Sequence, residues 1–183
     1  MSISNNNSKG IKMDNTTKLT HFAEHLKQAD GLLITAGAGM GVDSGLPDFR
    51  GDQGFWKAYP PLKHLGKNFV DMATPELFHT NPKLAWGFYG LRLNAYRAVE
   101  PHQGFHILKQ WSDTLPNLKN SAFVFTSNVD GEFQKVGFKD DNVFECHGSI
   151  HWLQCLENCT QAIWSADDFK PVVDKEYCQL IND

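Results

Sequence analysis

Apolar residues along this chain recur with two periods, and the switches between them mark out the elements. Residues 1–13 are polar and rich in Ser and Asn, with almost nothing to bury, and are expected as a disordered lead-in. Leu19, Phe22, Ala23, Leu26 and Ala29 then repeat at helical spacing behind Asn15 and Thr16, two residues suited to capping. This predicts an amphipathic helix to about Ala29, stopped by Asp30-Gly31. Leu32-Leu33-Ile34-Thr35-Ala36 is short and branched enough for a buried parallel strand. Residues 121–126 and 142–146 carry the same signature, and 150–154 is strand-like. Thr74-Pro75-Glu76 and Asn81-Pro82 read as helix starts with proline in the first turn. The second opens a long helix to about Val99 with Leu84, Trp86, Phe88, Leu91, Leu93 and Tyr96. Pro101-His102 opens another, carrying Phe105, Ile107, Leu108 and Trp111. Residues 52–65 mix Gly54, Pro60 and Pro61 with Phe55, Trp56 and Tyr59, and are expected as an irregular, partly packed loop. Strands alternating with helices predict an α/β domain with a Rossmann-like parallel sheet and helices on both faces.

Composition narrows the class. At 183 residues, 41% apolar and 21% charged, the chain has enough apolar material for a real core. A net charge of −4 argues against a nucleic-acid partner, because phosphate binding favours a basic surface. No run approaches the roughly 18 apolar residues of a membrane span, and the first residues lack the pattern of a secretion signal. The expected compartment is cytoplasmic, and the four cysteines are expected as thiols or metal ligands rather than disulfides.

Polar chemistry collects at the carboxyl ends of the three strands, where open α/β sheets place ligands. The first cluster is Gly37-Ala38-Gly39-Met40-Gly41-Val42-Asp43-Ser44-Gly45-Leu46-Pro47-Asp48-Phe49-Arg50-Gly51. Its glycines let backbone approach a ligand, and N–H groups at a following helix start attract phosphate. The second is Ser127-Asn128-Val129-Asp130-Gly131, and the third is His147-Gly148-Ser149. Each alone is weak. The usual dinucleotide fingerprint has a different third glycine and an acid at the end of a second strand, so an ordinary dehydrogenase is a poor fit.

Together the three clusters resemble the sirtuins, a family of NAD-dependent protein lysine deacylases, in family order and with family-like separations over residues 31–159. The resemblance implies that Gly37, Ala38 and Gly39 hold the NAD pyrophosphate, with a charge-assisted contact from Arg50. Asp48 belongs to the same cofactor-binding set. Phe49 would cover the nicotinamide ribose, and Ser127 would line the pocket. Asp130 would hydrogen-bond the carboxamide, and Asn128 would order a water and the ribose. His147 would be the general base, a task that suits its ordinary pKa. Acylated protein lysines are the implied substrates; nicotinamide and O-acyl-ADP-ribose are the implied products. Two other readings stay open: an NAD hydrolase or ADP-ribosyltransferase of the same fold, and a non-catalytic NAD-binding module.

Some positions depart from the family pattern or extend it. Ser127 stands where Gln is usual, and Gly41 where Ser is common. Tyr89 and Arg92, three apart on the long helix, share a face. They resemble the Tyr-x-x-Arg pair of the subgroup that removes negatively charged acyl groups such as succinyl. Cys155 and Cys159 sit where sirtuins place the first half of a structural zinc site, so residues 150–183 are expected as part of a small zinc-ribbon module following a core over 14–149, with a helical insertion about 52–100. His151 or Cys178 is the alternative completing ligand, and Cys146 is expected as a buried small residue. The missing second cysteine pair implies a longer parent chain, and the stretch alone is expected to fold poorly and be nearly inactive.

Overall fold

In the computed structural model, which describes residues 14–47 and 51–182, three short strands pair in parallel. They are β1 (Leu33–Ala36), β2 (Phe123–Thr126) and β3 (Val143–Glu145), in that order across the sheet. The register sets Ala36 opposite Thr126 and Thr126 opposite Glu145. Two further backbone bonds carry the pairing past the strand ends, from Ser127 N to Ala36 O at 3.2 Å and from Cys146 N to Thr126 O at 2.9 Å. The three polar clusters therefore leave the sheet along one edge.

Side chains alternate across the pleat. Ile34 and Val124 point into a cluster with Phe105, Ala122, Phe133 and Phe138. Phe105 comes from α7 (Gln103–Thr114) and Phe133 from α8 (Glu132–Lys135). The other face carries Leu33, Phe123, Phe125 and Phe144, all exposed. The expected second helical layer does not cover these four among the described residues. Helix α1 (Asn15–Gln28) is capped by Asp14, one residue before the expected caps, and buries none of its residues. Its Phe22 meets Trp111 of α7 with ring centroids 6.0 Å apart.

The long connection from β1 to β2 is helical, including the part expected as a loop. Residues 52–65 lie mostly in α2 (Gly51–Ala58) and α3 (Pro60–His64). Phe55, Tyr59 and Leu62 are buried at helical spacing, and Pro60 stands in the first turn of α3 rather than interrupting a helix. With α4 (Phe69–Met72), α5 (Glu76–Thr80) and α6 (Pro82–Ala98) they enclose a second cluster of Phe55, Tyr59, Leu62, Met72, Leu84 and Phe88. The Asn81 side chain caps α6 by accepting from Leu84 N at 3.2 Å, as the sequence leads one to expect.

After β3 come two hairpins, β4 (Trp152–Gln154), within the stretch expected as strand-like, with β5 (Ile163–Ser165), and β6 (Val173–Asp174) with β7 (Gln179–Leu180), which periodicity does not reveal. Their strands are two or three residues long, too short for alternation to register. The second hairpin lies on α6 where Gly87 and Gly90 remove side chains. A Cβ at Gly87 would stand 2.1 Å from the Cys178 carbonyl oxygen, and one at Gly90 would stand 2.8 Å from Pro171. Arg97 also donates to the carbonyls of Phe169 at 2.7 Å and Ala166 at 2.6 Å. No helix among the described residues is long and apolar enough to cross a membrane.

Candidate active site

Where β1 ends, Gly37 leads into a 3-10 helix, Ala38–Ser44, closed by Gly45 at φ 91°. That left-handed angle is one that glycine adopts without strain. Ala38 and Gly39 are exposed, whereas Gly41 is buried. A Cβ on Gly37 would lie 3.5 Å from the Ser127 hydroxyl, so the first two clusters are in contact. A Cβ on Gly41 would reach 2.9 Å from Leu46 and 3.6 Å from Asp130 Oδ2. A serine there would require the tip of the Leu46 side chain to shift. Asp48, Phe49 and Arg50 lie outside the described residues.

The loop after β2 holds the most tightly set groups. Asn128 is buried; its N–H donates to Thr126 Oγ1 at 3.0 Å, and its Nδ2 has no hydrogen-bond partner. A buried amide donor left in this way fits a ligand bearing an acceptor. Asp130 is buried too, and its Oδ1 accepts from Glu132 N at 3.1 Å. Burial holds its carboxyl above the ordinary range, opposed by that N–H and by the Lys135 charge. Gly131 follows at φ 74°, and a Cβ there would strike His151 at 2.9 Å.

The third cluster folds back on the second. Ile150 N donates to Val129 O at 3.1 Å, and the His151 ring meets Asp130 O through Nε2 at 2.8 Å. His151 thus braces the Asp130 loop; it does not complete a zinc site. His147 is exposed at the sheet edge, beside Gly148 at φ 77°. Cys146 is exposed rather than buried. Its position just past the last β3 residue turns it off the sheet.

Tyr89 and Arg92, the expected acyl-site pair, lie on α6 with different partners. Tyr89 stacks on Phe78 at 5.4 Å and 25°. Arg92 is only 7% exposed and lies over the rings of Phe69, Phe88 and Tyr96 at 5.7, 5.4 and 5.5 Å. The phenol that accepts from its Nη2, at 2.9 Å, is Tyr96. One turn on from Arg92, Tyr96 was detectable by the i, i+4 rule as readily as Tyr89 by i, i+3. Sequence reasoning also passed over Glu132 and Lys135, an i, i+3 pair bonded at 3.1 Å directly behind Asp130.

The Sγ atoms of Cys155 and Cys159 approach to 2.7 Å on the surface. The Cys159 thiol pulls the ionisation of Cys155 down. Among the described residues no group of three or more His, Cys, Asp or Glu converges as a metal site. The pair supplies two donors of the usual tetrahedral four. Cys178 is elsewhere, in the helical cluster, with burial pushing its thiol up to about 11.

Comparison with known proteins identifies the family and the fold. The Sir2 family profile matches residues 37–181. An NAD-dependent protein deacylase of Candida albicans is 34% identical over 138 residues, 75% of this chain and 42% of its own length. An NAD-dependent protein deacetylase of Saccharolobus solfataricus is 35% identical over 134 residues, 73% of this chain and 48% of its own. A mutant Sir2 homologue solved with ADP-ribose superposes with a TM-score of 0.62 at 25% identity, over 84% of this chain and 53% of that one. The chain spans about half the length of the curated relatives it matches. From the glycine loop to the last hairpin, then, this chain belongs to the Sir2 family.

Proposed function

We propose that the chain carries the catalytic residues of an NAD-dependent protein lysine deacylase, which transfers an acyl group from lysine to ADP-ribose and releases nicotinamide. The observation that supports this most is the Asn128–Asp130 loop. It sets a buried, unpartnered amide donor and a buried carboxyl at the carboxyl edge of the sheet, one strand away from exposed His147. Bound NAD would supply the electrophilic sugar carbon. Gly37, Ala38 and Gly39 present backbone to its phosphates, with Asp48, Phe49 and Arg50 completing the cofactor set. Ser127, lying against Gly37, lines the pocket where the family has an amide. Asn128 donates from Nδ2. The buried Asp130 carboxyl accepts from a carboxamide N–H. His147 takes a proton from the sugar hydroxyl on its imidazole nitrogen, and its exposure leaves room for a substrate peptide.

At the acyl end, Arg92 supports a preference for groups that end in a carboxylate, such as succinyl, over acetyl. A guanidinium among aromatic rings has shed most of its water, and a phenol beside it adds a second donor. Tyr96 takes the role that the sequence suggested for Tyr89. We read Cys155 and Cys159 as two donors of a structural zinc site, with no part in the chemistry.

The test is to incubate the purified chain with NAD and either acetyl-lysine or succinyl-lysine peptide, and to identify products by mass spectrometry. O-acyl-ADP-ribose with free lysine, at the low rate expected of this stretch alone, is the expected product, formed faster from the succinyl peptide. Free or protein-linked ADP-ribose in its place would mean hydrolysis or ADP-ribosyl transfer.

A further inference from the structure

A line of polar groups runs behind the site and joins residues already given roles through two that have none, Glu132 and Lys135. It begins at Arg92, whose Nε and Nη2 donate to the Tyr96 hydroxyl at 3.3 and 2.9 Å. Tyr96 is buried, and at its other end the main-chain carbonyl accepts from Lys135 Nζ at 2.5 Å. The same ammonium donates to the Val99 carbonyl at 2.5 Å and to Glu132 Oε1 at 3.1 Å. Glu132 is 0% exposed, and its N–H donates to Asp130 Oδ1 at 3.1 Å. Ser44, closing the glycine loop's 3-10 helix, accepts from His102 N–H at 3.0 Å, and Glu132 Oε2 has no hydrogen-bond partner among the described residues. Two pieces of the site thus meet at one ion pair: the Asp130 loop and the end of α6.

Lys135 caps the last turn of α6, where carbonyls lack intrahelical partners and a cation is favoured. Its side chain is 26% exposed, so it reaches inward from the surface. Two apolar side chains could fill this space without desolvating two charges, so the pair's contribution lies in where it fixes its neighbours.

We propose that Lys135 and Glu132 are positioning residues for the reaction. They tie the turn of α6 that sets Arg92 and Tyr96 to the loop that sets Asp130, and so hold the acyl and nicotinamide ends of the site in one register. The proposal rests on the deacylase reading. It means that a change at Lys135, which touches neither ligand, disturbs both ends together.

The experiment uses the whole 183-residue chain with Lys135→Met, Lys135→Arg, Glu132→Gln and a control, Lys119→Met, whose exposed partner Asp30 is 3.8 Å away. NAD affinity is measured by calorimetry, KM and kcat with a succinyl-lysine peptide, and folding by circular dichroism. Lys135→Met is expected to weaken NAD binding and raise the peptide KM together, each by roughly tenfold, within the usual range of site–site coupling. Lys135→Arg recovers most of both, and Lys119→Met alters neither. A Lys135→Met protein that merely melts earlier, with both constants unchanged, overturns the proposal. If that variant does not fold, Glu132→Gln, which keeps the shape and drops the charge, decides by the same two constants. A wild-type chain that neither binds NAD nor turns over the peptide defeats the deacylase reading, and this proposal with it. An active wild type indifferent to the charge at both positions defeats this proposal alone.

Discussion

The two apolar clusters of this chain support two different kinds of site. The sheet-side cluster, around Val124, Phe105 and Phe133, is small and sits beneath strands whose ends are fixed by backbone pairing. The groups it presents, Asn128, Asp130 and His147, are placed by where a parallel strand must stop. The helix-side cluster, around Phe55, Tyr59 and Phe88, is an aromatic nest, with ring pairs such as Phe55–Tyr59 at 5.3 Å and Tyr59–Phe88 at 5.2 Å. Its functional group, Arg92, is placed by the side chains packed around it. On the proposed reading, chemistry stands on groups placed by strand ends, and acyl selection on a group placed by aromatic packing.

The sharpest way to break this division is His147→Ala. On the sheet side, an exposed base can be removed without disturbing a core. Turnover is expected to fall by about 10²–10⁴-fold, the usual share of a general base, with NAD affinity and the thermal midpoint nearly unchanged. A drop in the midpoint comparable to that of a core substitution would show that His147 is structural.

Gly87→Ala probes the other side. One methyl group on α6 meets the Cys178 carbonyl, backbone against backbone, so the last hairpin must shift. Overpacking of this sort costs about 1–3 kcal/mol, read from chemical denaturation. The loss should be accompanied by weaker discrimination between succinyl and acetyl peptides, while nicotinamide release per folded molecule holds. Equal damage to both would mean that the two clusters are one unit.

The smallest effect is one of pH. Burial raises the folded-state pKa of Asp130 and Glu132 above their unfolded values. Between those limits the folded protein binds more protons than the unfolded one, so this part of the stability is present at acid pH and lost as pH rises through the folded values. Asp130→Asn should flatten that slope and stabilise the chain near neutrality, while impairing turnover. A slope unchanged by Asp130→Asn would place the titration elsewhere.

Most of the sheet side could be read from the sequence, because its signals are local. A branched apolar run followed by Gly37, Ser127 or His147 announces a strand and its end in a few consecutive residues. The helix side was harder, since its order comes from packing. Gly54, Pro60 and Pro61 looked like breaks until Phe55, Tyr59 and Leu62 were seen to share a stripe, and Pro60 to begin a helix. Tyr89 and Tyr96 are equally plausible neighbours of Arg92 by spacing, and the hydrogen bond from Arg92 to the Tyr96 hydroxyl is not visible in that spacing. The Lys135 contacts to Tyr96 and Val99 join residues 39 and 36 apart, beyond any local pattern.

The uncovered face of the sheet governs how this chain behaves in a tube and in a cell. Leu33, Phe123, Phe125 and Phe144 form a flat, uncharged, aromatic surface, with Phe144 52% and Leu33 64% exposed. Parallel sheets are ordinarily buried on both sides. Such a surface is wetted by a fluorescent dye, a detergent or a chaperone before any substrate arrives. Among the described residues nothing covers this surface, and Phe125→Ser with Phe144→Ser is expected to raise the chain's solubility without touching a residue of the site.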